Sequence, residues 1–282
     1  MLARDLIREA PGGHDIVGRD IDDFDITDPD AVDDAVREIR PDLIVNAAAY
    51  TNVDGAESES DLAFAVNGDA LGFIGNAAKA LGVPVIHYST DYVFDGSSRE
   101  PYGEDEPTSP MGVYGASKLQ GEQRLAESGA ASLIIRTQWL FGIAGPSFPR
   151  TMWKRATSGE ATRVVDDQTG RPTYTVDLAR ATWGRLGQPE AIWSSLGQPG
   201  AEIVHIANGG TATWYDVAKR VFEAAGGPEL LEPCSTAEYP TPARRPAWSV
   251  LGTEKYEEIV GEPLPAWEHA IDRFLVELQD GA

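Results

Sequence analysis

The run Tyr114-Gly115-Ala116-Ser117-Lys118 sets a phenol and an ammonium four residues apart, a spacing that puts both on one face of a helix. Such a pair suits reduction of a ketone, which needs hydride at carbon and a proton at oxygen. A free phenol titrates at about 10 and is a weak acid at neutral pH. A nearby ammonium stabilises the phenolate and lowers that value. Thr90, 24 residues upstream, offers a hydroxyl that can hydrogen-bond the developing alkoxide. Tyr-x-x-x-Lys is a weak motif by itself, because it recurs at Tyr215-Asp216-Val217-Ala218-Lys219. Context selects the first copy, which follows an apolar run ending in Ser89-Thr90-Asp91-Tyr92. The second sits behind Thr213, a candidate helix cap, and reads as a helix surface.

Holding these groups together requires a rigid frame, and apolar strands alternating with helical segments supply one. Asp15 to Gly18 reads as a short strand, and Asp28-Pro29 caps and opens a helix to about Ile39. Leu43 to Val45, Val83 to Tyr88 and Leu133 to Ile135 read as buried strands, with helices over about 60 to 81 and 110 to 127 between them. The pattern predicts an α/β fold, a Rossmann-type doubly wound parallel sheet with a smaller C-terminal substrate lobe. Ligands of such sheets bind beyond the carboxyl ends of the strands, so Asn46 to Thr51, Ser89 to Tyr92 and Thr137 to Trp139 should line the cleft. Past about residue 145 proline and glycine recur, with helices expected near 148 to 158, 175 to 186, 213 to 225 and 266 to 279. The expected division is a dinucleotide-binding domain over 1–145, with a returning segment near 174–210, and a mainly substrate-binding lobe over 146–282.

A formal charge of -22, from 45 acidic and 23 basic side chains, excludes nucleic acid and an anionic membrane surface as expected partners. No stretch approaches the length of a membrane span and the first ten residues lack a signal-peptide run. Cys234 is the only cysteine, so a reducing, cytoplasmic setting is expected. His14, His87, His205 and His269 are scattered without metal-ligand spacing and read as structural or surface residues; no metal site is expected.

The motifs Ser89-Thr90-Asp91-Tyr92-Val93-Phe94-Asp95-Gly96, Tyr114-Gly115-x-Ser117-Lys118, Gly121-Glu122, Arg136-Thr137-x-Trp139 and Asp167-Gln168-x-Gly170-x-Pro172-Thr173 together resemble the dTDP-4-dehydrorhamnose reductases of the extended short-chain dehydrogenase/reductase class. So do Asp25-Ile26-Thr27-Asp28, Ala47 to Glu57 and Arg245-Pro246-x-x-Ser249-x-Leu251, so the likeness runs along nearly the whole chain. It implies a nucleotide-sugar reductase using NADPH or NADH, with Thr90, Tyr114 and Lys118 catalytic and the last two also touching the cofactor. It implies that Asp91, Tyr92 and Trp139 contact the sugar nucleotide. Arg245, and behind it Arg171, are candidates for the diphosphate. Asp25 and Ile26 match positions near the adenine, and Ala48, Ala49 and Thr51 positions along the cofactor. Asp20, just past the expected strand at 15 to 18, is placed to bind a ribose hydroxyl, which favours NAD, while Arg19 could pair with a 2'-phosphate. Sugar-nucleotide dehydratases and epimerases share the fold but carry an Asp-Glu pair after the threonine, where this chain has Asp91-Tyr92. Some relatives hold magnesium at a homodimer interface. Asp5 matches one such position, but no further ligands are evident.

A dinucleotide fold should open with a hydrophobic strand running into Gly-x-x-Gly-x-x-Gly, and neither is present. Met1 to Leu6 resembles the end of that motif, which puts Leu2 at a cofactor position and Ala3 in the last small-residue slot. Gly68, Gly72 and Gly75 fall inside the predicted helix of 60 to 81. The expectation is that the functional protein begins upstream and Met1 is internal. If instead the chain starts here, weak cofactor binding is expected, and a non-catalytic regulatory or scaffold role becomes the rival.

Overall fold

Strands that must be covered on both faces are apolar throughout, and four such strands form the sheet that carries the site. The computed structural model describes residues 1–184 and 201–280. Ile44–Asn46, Val85–Thr90, Ser132–Thr137 and Ala201–His205 lie side by side in that order, all parallel. Ile86 pairs in register with Val45 and Leu133, and Thr90 with Thr137. One face packs Ile86, Tyr88, Leu133, Ile135 and Val204 against Leu2 and Leu6 of the helix Leu2–Glu9 and Leu178, Ala179 and Trp183 of the helix Thr175–Trp183. The other packs Val85 and Ile134 against Leu71, Ile74 and Ala78 of Ala70–Leu81 and Leu125 of Val113–Ser128. Val32 of the helix Pro29–Ile39 joins that layer, and Asp28 caps the helix by accepting from the backbone N–H groups of Asp30 and Ala31. The fold is a Rossmann-like parallel α/β sheet wound on both faces.

Two expectations need correction. Asp15 to Gly18 forms no strand; Ile16, Val17 and Ile21 are exposed by 37%, 46% and 66%. The physical reason is pairing. A strand needs a neighbour for its backbone groups, and Ile44–Asn46 bonds only Val85–Thr90 among the described residues. The single helix expected over 60 to 81 is also interrupted, running as Ser60–Phe64, a π turn at Ala65–Asp69, and Ala70–Leu81.

Beyond the sheet a second core gathers Phe141, Met152, Val164, Tyr174, Phe222, Ile271 and Phe274. It is enclosed by the helices Phe148–Thr157, Trp214–Ala225 and Trp267–Asp280, with the parallel pair Thr162–Val165 and Leu231–Cys234. Within the expected returning segment, Thr175–Trp183 and Ala201–His205 pack into the core of the four-stranded sheet, while 185–200, including the expected helix end at 186, lies outside the described residues. No helix among the described residues is long and apolar enough to cross a membrane.

Candidate active site

The helix Val113–Ser128 lies over the strand Val85–Thr90, and residues four apart on it face the sheet. Lys118 donates to the Tyr88 carbonyl at 2.6 Å and contacts His87 Nε2 at 3.2 Å. One turn on, Glu122 accepts from the Ser89 hydroxyl at 2.5 Å and from Arg136 Nε and Nη2 at 2.9 and 2.7 Å. His87 and Ser89, alternate residues of one strand, thus meet Lys118 and Glu122 of one helix face. One turn earlier Tyr114 stands half-buried beside Thr90 and Tyr92, its ring edge-on to Tyr92 at 5.6 Å and 83°. Thr90 ends the strand by accepting the Tyr92 N–H at 3.2 Å and donating to Asp91 Oδ1 at 3.0 Å.

Glycine permits this approach. A Cβ built on Gly115 would stand 2.1 Å from the Tyr92 carbonyl oxygen. Gly115→Ala is therefore expected to push the helix off the turn at Asp91–Val93 and cost about 1–3 kcal/mol, read as a lowered denaturant midpoint. A midpoint equal to the unmodified chain's would show that the two backbones have room to part.

Burial dominates the electrostatics. It pushes the Tyr114 phenol up to about 12, helped by the Asp91 charge and opposed by the Thr90 hydrogen bond. It lowers the Lys118 ammonium to about 8, with Glu122 opposing. The Asp91 carboxyl rises to about 6 for the same reason, opposed by the nearby Ser249 hydroxyl and the Thr90 hydrogen bond to Oδ1, and its Oδ2 has no partner. The sequence puts the ammonium beside the phenol; the structure turns it to the Tyr88 carbonyl and His87. A buried ammonium takes the best acceptors within reach, and a protonated phenol is a poorer one than a carbonyl. In this state the phenol is not acidified.

The remaining sequence-derived positions divide into two groups. Arg245 stands near this cluster, since its charge favours the Tyr92 phenolate, but its guanidinium is bidentate on Asp54 at 3.0 and 2.9 Å. Trp139, with a positive φ of 49°, stacks on Trp214 at 3.8 Å and covers Gly170, where a Cβ would meet the indole at 2.6 Å. Ala48 and Thr51 are exposed and Ala49 half-buried in the loop beyond Asn46, whose side chain accepts the Ala48 N–H at 3.1 Å. By contrast, Leu2 is buried in the core, and Asp20 and Asp25 only close local turns, onto Ile21 N and onto Thr27. Ile26 packs beside the Val32 core. Asp20 has no strand behind it, which removes the reason given for its placement. Arg171 donates to Thr253 at 2.9 Å. Asp5 accepts from Thr175 and pairs with Arg8, and no metal-binding group of three occurs among the described residues. The second Tyr-x-x-x-Lys lies on Trp214–Ala225, where Lys219 is exposed and Tyr215 packs on the second core.

Sequence reasoning missed Asn67, His87 and Trp214. Asn67, in the π turn, accepts the Tyr50 N–H at 2.8 Å and donates to the Tyr50 carbonyl and Ser117 Oγ at 3.0 Å, tying the loop after Asn46 to the Tyr114 helix. π turns often mark functional sites. The signal for His87 was an imidazole inside an apolar strand of a doubly covered sheet, where every buried polar group needs a partner.

The family model described as "RmlD substrate binding domain" matches residues 1–280. A dTDP-4-dehydrorhamnose reductase of Escherichia coli (strain K12) is 44% identical over 264 residues, covering 90% of this chain and 85% of its own length. A probable dTDP-4,6-dihydroxy-2-methyloxan-3-one 4-ketoreductase of Streptomyces antibioticus is 39% identical over 275 residues, covering 96% and 90%. A crystal structure of dTDP-4-dehydrorhamnose reductase from Bacillus anthracis in complex with NADP superposes with a TM-score of 0.89 at 35% identity, covering 98% of this chain and 95% of that one. With its motifs, its sheet and these likenesses in agreement, the chain belongs to the RmlD substrate-binding-domain family.

Proposed function

We propose that the chain reduces the keto group of dTDP-4-dehydro-L-rhamnose to give dTDP-L-rhamnose, with NADPH or NADH as the reductant. The observation that carries the reading is the convergence of Thr90, at the end of a central strand, with Tyr114 and Lys118 on one helix face above it. Named relatives at about 40% identity support the substrate. Residues 1–145 with the segment near 174–210 would hold the cofactor and 146–282 mainly the sugar; the separate cores on and beyond the sheet support that division. A homodimer is carried over from the resemblance alone and is tested by sedimentation equilibrium. A cytoplasmic setting fits the single cysteine.

The residues present fit the nicotinamide half of the cofactor. The loop Ala48–Thr51 beyond a strand's carboxyl end is small and open, and the buried Lys118 ammonium carries three donors of which two are used. Bound there, the cofactor supplies hydride to the keto carbon. Thr90 turns its single O–H from Asp91 to the keto oxygen and Tyr114 delivers the proton. With its pKa near 12 the phenol keeps that proton at neutral pH until the oxygen becomes an alkoxide, a stronger base. Lys118, mostly charged below about 8, compensates the phenolate left behind. Asp91, with one unpartnered oxygen, accepts from a sugar hydroxyl. Tyr92, Trp139 and Arg245 bind the nucleotide-sugar around it.

Mixing the purified chain with this sugar nucleotide and either cofactor should consume one reduced nicotinamide per sugar reduced. An epimerase or dehydratase would give no net consumption, and a scaffold relative would bind neither cofactor nor sugar. Each of those results would overturn the reading.

A further inference from the structure

Nothing in the reaction as described uses His87, yet it is fully buried on the central strand and touches Lys118 directly. Its Nε2 stands 3.2 Å from Lys118 Nζ, and its Nδ1 3.2 Å from the amide nitrogen Nδ2 of Asn46, its register partner on the next strand. Burial and the adjacent ammonium hold the imidazole well below its usual range, so the ring is neutral and has a single proton. A charged lysine offers donors only. His87 Nε2 must then accept, its proton must sit on Nδ1, and Asn46 must turn its amide oxygen to that N–H. In the structure the amide lies the other way round, its oxygen accepting the Ala48 N–H at 3.1 Å and its nitrogen facing His87; the two orientations differ only by a flip.

We propose that His87 is a positioning residue for the reduction: its Nε2 holds the Lys118 ammonium on the strand below Tyr114 and its Nδ1–H sets the amide of Asn46 at the root of the loop Ala48–Thr51. This rests on the enzymatic reading of the same site. The consequence is coupling. While Lys118 is charged, Asn46 is turned to His87 and the Ala48 N–H is released from it. When Lys118 is neutral, its lone pair accepts from Nε2–H, and the amide turns back. The other charged and titratable groups around the pair are Glu122 on the lysine's own helix, Arg136 on the adjacent strand and bound to Glu122, and Tyr114 and Asp91 at the cleft.

The test begins with the unmodified chain without cofactor, labelled with nitrogen-15 at histidine. Long-range nitrogen–proton NMR spectra should show His87 as the neutral Nδ1–H form below pH about 8 and switching toward Nε2–H as the pH rises through the lysine's pKa. An Nε2–H form throughout, or titration to imidazolium at about its ordinary value of 6.5, overturns the proposal. A second arm measures kcat and KM against pH with NADPH and the sugar nucleotide. His87→Leu should move the alkaline limb of kcat about one pH unit lower with the sugar's KM unchanged, because the ammonium loses an acceptor. His87→Gln, whose amide oxygen can replace Nε2, should restore it. Superimposable Leu and unmodified profiles also overturn the proposal. Absent turnover in every variant would sink the enzymatic reading while the NMR result still decides the role of His87.

Discussion

Replacing Tyr114 by phenylalanine is expected to lower kcat by about two to four orders of magnitude while leaving the sugar nucleotide's KM nearly unchanged. The substitution removes one hydroxyl from a ring that is otherwise held by Tyr92 and the helix, so binding surfaces stay in place and only proton delivery is lost. Steady-state kinetics over a range of pH checks it. In the unmodified chain, kcat should fall above about pH 8 as Lys118 loses its charge, since an uncharged amine cannot compensate the phenolate. A Tyr114→Phe enzyme with near-normal kcat would remove the assignment.

The second large effect is on stability. Arg136 and Glu122 are 3% and 4% exposed and form a bidentate pair in the polar layer between the sheet and the Tyr114 helix. Arg136→Met leaves the Glu122 carboxylate buried with only Ser89 and the Lys118 charge for company. Breaking a buried pair from one side costs about 3–5 kcal/mol. Urea unfolding should show a loss of that size, and Arg136→Met combined with Glu122→Gln should recover part of it, because no carboxylate is then stranded. A loss below about 1 kcal/mol for the single variant would mean that water or another cation reaches Glu122. Because Glu122 also supports the lysine's charge, this pair links the stability of the layer to the chemistry above it.

Much of this arrangement could be read before any coordinates. The apolar triplets at Leu43, Leu133 and the run from Val83 lay within or beside real strands because a sheet covered on both faces admits few polar residues. Asp28-Pro29 marked a helix start because an Asx side chain and a fixed φ satisfy that end locally. Asp15 to Gly18 misled because β-type residues make a strand only beside a partner, which lies outside a local window. The Tyr114 and Lys118 spacing identified a shared helix face, but spacing cannot say where an ammonium turns once it is buried. That depended on the Tyr88 carbonyl and His87, 30 and 31 residues away on another element. The ion pair of Arg245 with Asp54 and the stacking of Trp139 on Trp214 are likewise long-range contacts with no local signature.

Isotope transfer tests the central claim most directly. The chain is supplied with dTDP-4-dehydro-L-rhamnose and NADPH carrying deuterium at C4 of the nicotinamide, on the face from which hydride leaves, and with the opposite isotopomer in parallel. One of the two should give dTDP-L-rhamnose with deuterium at the sugar's former keto carbon, and Tyr114→Phe should give almost none. Sugar recovered unreduced from both, or reduced without deuterium from both, would contradict hydride transfer at this site.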